Sequence, residues 1–246
     1  MRYAATMMVV AALGCGAEEG DLERAAQGIA NGQVITVGPI ARSTVMFTPG
    51  NGDGTHGCTA TLLDEAHALT AAHCLLGATP ATEPVLVFSP AFSPTAPRRS
   101  VTALVPADPR SSVRADIAVL TFAGGLPEGY TPVGIAAAGF PLRVGDDVTH
   151  AGYGQTTRTV NDRGQLRAAP TKLDAVRNGR IYLRGVGSVC SGDSGGPDFV
   201  VRRGRLVQVG VHVSGDCAES ASSTDVRAFE EFLRSAGGRP SFVRGE

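Results

Sequence analysis

Ser194 lies in the stretch Cys190-Ser191-Gly192-Asp193-Ser194-Gly195-Gly196-Pro197. A serine hydroxyl is a weak nucleophile until a base takes its proton and hydrogen-bond donors wait for the oxyanion that forms. Glycines around a lone serine let the backbone turn sharply and aim N–H groups at one point, which a side chain at Gly192 would obstruct. This reading makes Ser194 Oγ a nucleophile and the N–H groups of Gly192 and Ser194 an oxyanion hole. A glycine-rich turn carrying a surface serine is the plain alternative. Two other stretches supply the missing chemistry. Thr70-Ala71-Ala72-His73-Cys74 offers an imidazole, and Asp116-Ile117-Ala118-Val119-Leu120 offers a carboxylate at the mouth of an apolar run. A carboxylate that orients an imidazole beside a serine is the apparatus of acyl transfer.

Taken in the order His, Asp, Ser, these motifs resemble the trypsin/chymotrypsin-like serine proteases, over residues 29–235. The order separates the chain from subtilisin-like and α/β-hydrolase proteins, which arrange the same chemistry differently along the chain. The resemblance implies that His73 is general base and then general acid, that Asp116 orients it, and that Ser194 attacks. The fold it implies is all-β: two six-stranded antiparallel β-barrels with the active site between them and a C-terminal α-helix.

The family resemblance also assigns several other residues. Of the five cysteines, it pairs Cys58 with Cys74 and Cys190 with Cys217. Sequence alone leaves three connectivities open for these four. Ile29-Ala30-Asn31-Gly32 resembles the family's activation terminus, where a new Ile ammonium pairs with the carboxylate before the nucleophile, here Asp193. The preceding residue is Gly28 rather than Arg or Lys, and cleavage at Gly28–Ile29 is expected to be needed for full activity. Ala151-Gly152-Tyr153-Gly154 resembles the family's Gly-Trp-Gly turn, with Tyr for Trp.

For the substrate pocket, Ser188 falls at the implied floor and has no charge, so no strong basic preference is expected. His212 resembles the histidine of glutamate-preferring members, and Ser191 matches a serine that helps there. Gly215 falls where a third helper serine would be, with Ser214 one step away. An acidic ligand in a dry pocket needs such donors. Alternatively, His212 packs and hydrogen-bonds inside the second barrel. Residues 213–215 are expected to pair with substrate backbone as an added strand. His56, His67 and His150 read as ordinary loop or strand histidines.

Short apolar runs separated by Gly/Pro turns must position these groups, as barrels or sandwiches do. Candidate strands are 34–37, 45–47, 58–63, 66–70, 85–88, 100–105 and 115–122, then 133–135, 147–153, 171–176, 180–183, 197–201 and 205–213. The barrels are expected over about 29–123 and 133–222, with 124–132 as linker. A helix over about 224–235 is expected to be capped by Ser223 or Thr224. It carries Val226, Phe229, Phe232 and Leu233 on one face, and residues 236–246 form a tail.

The 246 residues carry a net charge of −1, which suggests neither nucleic acid nor an anionic membrane as partner. Residues 1–15 read as a short signal peptide, too short for a stable transmembrane helix, and 16–28 as an acidic tether or pro-segment. Cys15 sits where a bacterial lipoprotein carries its lipidated N-terminus. The alternative is cleavage near Ala17, which discards Cys15 and releases the protein. Disulfides imply an exported chain, secreted or lipid-anchored at the cell envelope. The Cys/His set lacks zinc-site spacing, and neither metal nor organic cofactor is required. A protein or peptide substrate, a monomer and an endopeptidase are the expectation. A silent protease-fold binding module and an esterase using the same triad are the alternatives.

Overall fold

The computed structural model describes residue 29 and residues 32–50, 57–111, 115–185 and 187–245. The signal peptide, the tether, Cys15, His56, and Ala30 and Asn31 of the activation terminus lie outside the described residues.

Six strands close the first barrel: β2 (Thr44–Thr48), β3 (Cys58–Leu62), β4 (His67–Thr70), β5 (Val85–Val87), β6 (Arg98–Pro106) and β7 (Ala118–Phe122). Their order around the ring is β2-β3-β4-β7-β6-β5. Val45, Phe47, Leu62, Leu69, Leu86 and Leu120 are fully buried. Each such side chain contributes about 1.5–3 kcal/mol by leaving water.

The second ring is built from β9 (Asp147–Gly152), β10 (Arg167–Arg177), β11 (Arg180–Arg184), β12 (Pro197–Arg202), β13 (Arg205–Gly215) and β14 (Ser220–Asp225). The path β12-β9-β10-β11-β14-β13 is closed by the β12–β13 pairing, and every pair in the ring is antiparallel. Outside the ring, β1 (Gln33–Val34) pairs with β10, β8 (Gly134–Ala136) runs parallel to β13, and β15 (Phe242–Val243) runs parallel to β8. The two six-stranded barrels are thus present, with three short strands added to the second.

Three local expectations change. Residues 35–37 are not strand, and α1 (Gly38–Ser43) follows instead, with proline in its first turn, where the missing N–H costs nothing. Ser223 and Thr224 do not cap a helix. They lie in β14, paired with β11 on one side and β13 on the other. The cap falls to Asp225, whose carboxylate accepts from Arg227 N at the start of the 3-10 turn Val226–Phe229. That turn leads into α2 (Glu230–Ser235), whose Leu233 is buried. No helix among the described residues is long and apolar enough to cross a membrane.

Candidate active site

His73 lies in the 3-10 turn Ala72–Leu75, which follows β4. The Asp116 carboxylate, just before β7, holds it twice: Oδ1 accepts from the His73 backbone N–H at 2.9 Å, and Oδ2 lies 2.7 Å from Nδ1. Asp116 is buried, while the His73 side chain is 30% exposed. One imidazole edge is therefore fixed and the rest of the ring is partly open to solvent. The Asp116 main chain is tied across to the second barrel, where Thr224 Oγ1 donates to its carbonyl at 2.8 Å. Ser214 does not reach Asp116. Its hydroxyl pairs with Ser222 on the surface.

The Ser194 loop docks against the same turn. The Thr59 N–H donates to the Ser194 carbonyl at 2.8 Å, and the Cys74 sulfur lies 3.6 Å from that oxygen. Ser194 is half-buried. Among the described residues no hydrogen bond joins Ser194 Oγ to His73 Nε2, and such bonds commonly tighten only when substrate binds. Gly192 has φ +100 and Gly195 φ +80, the left-handed region that side chains avoid. A Cβ on Gly195 would collide with Thr70 Oγ1 and the Thr59 carbonyl, so the close approach of the two barrels also requires glycine there. Among the described residues neither the Gly192 nor the Ser194 N–H is bonded to another group.

Thr59, absent from the sequence reading, joins these parts. Its Oγ1 donates to the Gly192 carbonyl at 3.0 Å and accepts from Tyr153 N at 3.1 Å, and its own carbonyl accepts from Thr70 Oγ1. Tyr153 is buried and its hydroxyl donates to the carbonyls of Thr44 and Ser89.

Asp193 is fully buried. Its carboxylate accepts from Gly154 N at 2.7 Å and Cys190 N at 2.9 Å. Burial pushes its pKa up to about 6, against the lowering by those two N–H groups and by His212. A Cβ on Gly152 or Gly154 would strike this carboxylate. Ile29 is buried in the hydrophobic core.

The residues expected to form the pocket do not surround an open slot. Ser188 is buried, donating to the Ser220 carbonyl at 2.8 Å and to Asp216 Oδ1 at 3.2 Å. Asp216 also accepts three backbone N–H groups, from Ala218, Glu219 and Ser220, and its pKa is brought down to about 2 by bonds that outweigh its burial. Ser191 is exposed and accepts from Arg163. A Cβ on Gly215 would collide with the Val189 carbonyl, so the two walls touch. His212 does not face the slot. It is fully buried, with Nδ1 against the Asp193 carbonyl at 3.1 Å and Nε2 against Asp198 Oδ1 at 3.0 Å. His150 joins it there rather than standing as an ordinary strand histidine, with Nδ1 at 2.6 Å from Asp198 Oδ1. Asp198 was missed too, although a lone acid in the apolar run Pro197-Asp198-Phe199-Val200-Val201 signals a buried partner.

Disulfides join Cys58 to Cys74 and Cys190 to Cys217. Cys58, His73 and Cys74 lie close enough for a metal site, but the disulfide leaves no thiolate to ligate.

The Trypsin family matches residues 31–233 of the chain. No curated protein matches it significantly.

Proposed function

Because the chain belongs to the Trypsin family, we propose that it is a serine endopeptidase working through an acyl-enzyme. Ser194 Oγ attacks the scissile carbonyl while His73 Nε2 takes its proton. Asp116 keeps the Nδ1–H tautomer and offsets the charge of the imidazolium. The oxyanion is received by the N–H groups of Gly192 and Ser194. His73 then protonates the leaving amine, and water repeats the sequence in reverse on the acyl group. The observation that carries this reading is the doubly bonded Asp116–His73 pair, docked through Cys74 and Thr59 onto a serine loop with two unengaged N–H groups.

Ile29 and Asp193 form the activation pair in this reading. The support is a buried carboxylate with two N–H donors, whose raised pKa signals too little positive charge nearby. An Ile29 ammonium freed by cleavage supplies that charge. Preference for an acidic side chain before the cut loses its support, since His212 is engaged inside the barrel and the Asp216 carboxylate stands beside Ser188. The two disulfides support an exported protein. A lipid anchor on Cys15 and a monomeric state remain part of the same reading.

Cleavage-site profiling with a peptide library, run beside simple ester substrates, tests it. Peptide turnover that vanishes in Ser194→Ala supports the endopeptidase. Ester turnover without peptide turnover makes the protein an esterase. Neither activity, with the chain starting at Ile29, makes it a binding module.

A further inference from the structure

The second barrel buries three ionisable side chains against one another. His150 of β9, Asp198 of β12 and His212 of β13 are each 0% exposed. β12 pairs with both other strands, and Asp198 stands opposite His150 in one register and Gly210 in the other. The nearest atoms are separated by 2.6 Å (His150 Nδ1 to Asp198 Oδ1), 3.0 Å (His212 Nε2 to Asp198 Oδ1) and 3.2 Å (between the two imidazole nitrogens). Ligands around a tetrahedral zinc stand about 3.3 Å apart. The two shorter contacts are those of hydrogen bonds, so the cluster is read as proton-linked.

The proton positions follow from the acceptors. The Asp193 carbonyl can only accept, so His212 Nδ1 carries a hydrogen. Asp198 Oδ1, as a carboxylate oxygen, accepts from both imidazoles, so His212 Nε2 carries one too. His212 is then an imidazolium paired with a buried carboxylate, and His150 is a neutral Nδ1–H tautomer. The pKa directions agree. Burial alone lowers both histidines, but the attraction of Asp198 raises His212 overall while His150 stays lowered. Asp198 itself is held well below the usual carboxylate range, its two histidines outweighing burial.

His212 also grips the nucleophile loop on both sides of Ser194. Its carbonyl accepts from Gly195 N at 2.9 Å and its N–H donates to the Gly196 carbonyl at 2.8 Å. The imidazole, at 3.1 Å, shares the Asp193 carbonyl with the Gly196 N–H, at 2.9 Å. That carbonyl and the Ser194 N–H belong to one planar trans peptide and point in opposite directions. Holding the carbonyl inward therefore aims the Ser194 N–H outward, where the oxyanion forms.

We propose that His212, kept as an imidazolium by Asp198, is a positioning residue that fixes the Asp193–Ser194 peptide and so half of the oxyanion hole. Hydrolysis then carries an alkaline ionisation belonging to the His212–Asp198–His150 cluster. When His212 loses a proton, the one left is drawn to Nε2, beside the Asp198 carboxylate. Nδ1 then turns a lone pair toward the Asp193 carbonyl, which keeps only the Gly196 N–H, and the peptide loosens. The charged and titratable groups facing His212 are Asp198 from β12, His150 from β9 and Asp193 from the loop, while Arg167 of β10 acts on Asp193. The inference rests on the endopeptidase reading for its effect on turnover, but not for its protonation state.

Nitrogen-resolved NMR of the full chain separates the two. The expected result is a His212 ring protonated on both nitrogens at neutral pH, with the Ser194 backbone amide shifting as that ring titrates at higher pH. A neutral His212, or a Ser194 amide indifferent to it, overturns the proposal whether or not the protein hydrolyses anything. In kinetics, Asp198→Asn is expected to lower kcat by about 100-fold, the scale of one lost oxyanion donor, with KM little changed. His212→Asn keeps a neutral donor near the place of Nδ1. It is expected to lose much less kcat than Asp198→Asn and to abolish the alkaline limb. An unchanged limb in His212→Asn would assign the ionisation elsewhere and refute the proposal.

Discussion

The backbone N–H of Thr59 donates to the carbonyl of Ser194 at 2.8 Å, so a strand of the first barrel holds the serine loop of the second. The Thr59 hydroxyl meanwhile holds the Gly192 carbonyl and receives the Tyr153 N–H. Thr59→Val keeps the shape and the N–H but strands two buried polar groups. It is expected to cost about 1–3 kcal/mol of stability and to lower kcat, because Gly192 supplies one oxyanion donor in the proposed mechanism. Urea unfolding and steady-state kinetics measure both. A variant as stable and as active as the parent removes Thr59 from the account.

Little in the sequence could reveal Thr59. A threonine in a strand satisfies β-propensity by itself, and the partners of its hydroxyl lie more than 90 residues away. The Asp116–His73 pair and glycine 192 were legible because their chemistry and their turn demand those residue types. The Ser220–Asp225 strand was misread for a related reason: short hydroxyl side chains that cap helices also suit strands, and only the neighbours β11 and β13 decide between them. His212 matched a pocket histidine by position, but its orientation was set by Asp198, an acid whose meaning depends on which strands flank it.

Stability of the full chain should fall as pH rises from about 4 to about 6. Asp193 is raised from 3.8 to about 6 in the fold. The unfolded chain therefore loses this proton first, and each step upward in that window favours unfolding, by about 3 kcal/mol in all. A chain beginning at Ile29 places an ammonium beside the carboxylate and should not show this fall. Urea midpoints of the two chains between about pH 4 and pH 7 test the pairing. Parallel curves would mean that Ile29 and Asp193 do not meet.

The Cys58–Cys74 bridge closes a 16-residue separation and ends one residue from His73. Replacing both cysteines by serine is expected to cost about 3 kcal/mol by the loop-entropy model. The 3-10 turn carrying His73 should also loosen, with kcat falling more than KM rises. Calorimetry and kinetics of the double variant report on each. Full activity would show that β4 and Asp116 suffice to hold the imidazole.

Asp116→Asn leaves the hydrogen-bond geometry nearly intact but favours the wrong His73 tautomer. A fall in kcat of about 10,000-fold is expected, the scale seen when the orienting carboxylate of such a triad is neutralised. A loss of less than tenfold would make the Asp116–His73 pair structural.

The most direct measurement is covalent labelling by a fluorophosphonate, with the modified residue mapped by mass spectrometry, in a chain that begins at Ile29. The account predicts one label per chain, on Ser194, slowed severely in His73→Ala and absent in Ser194→Ala. Labelling at another serine, or none in the parent chain, would contradict it.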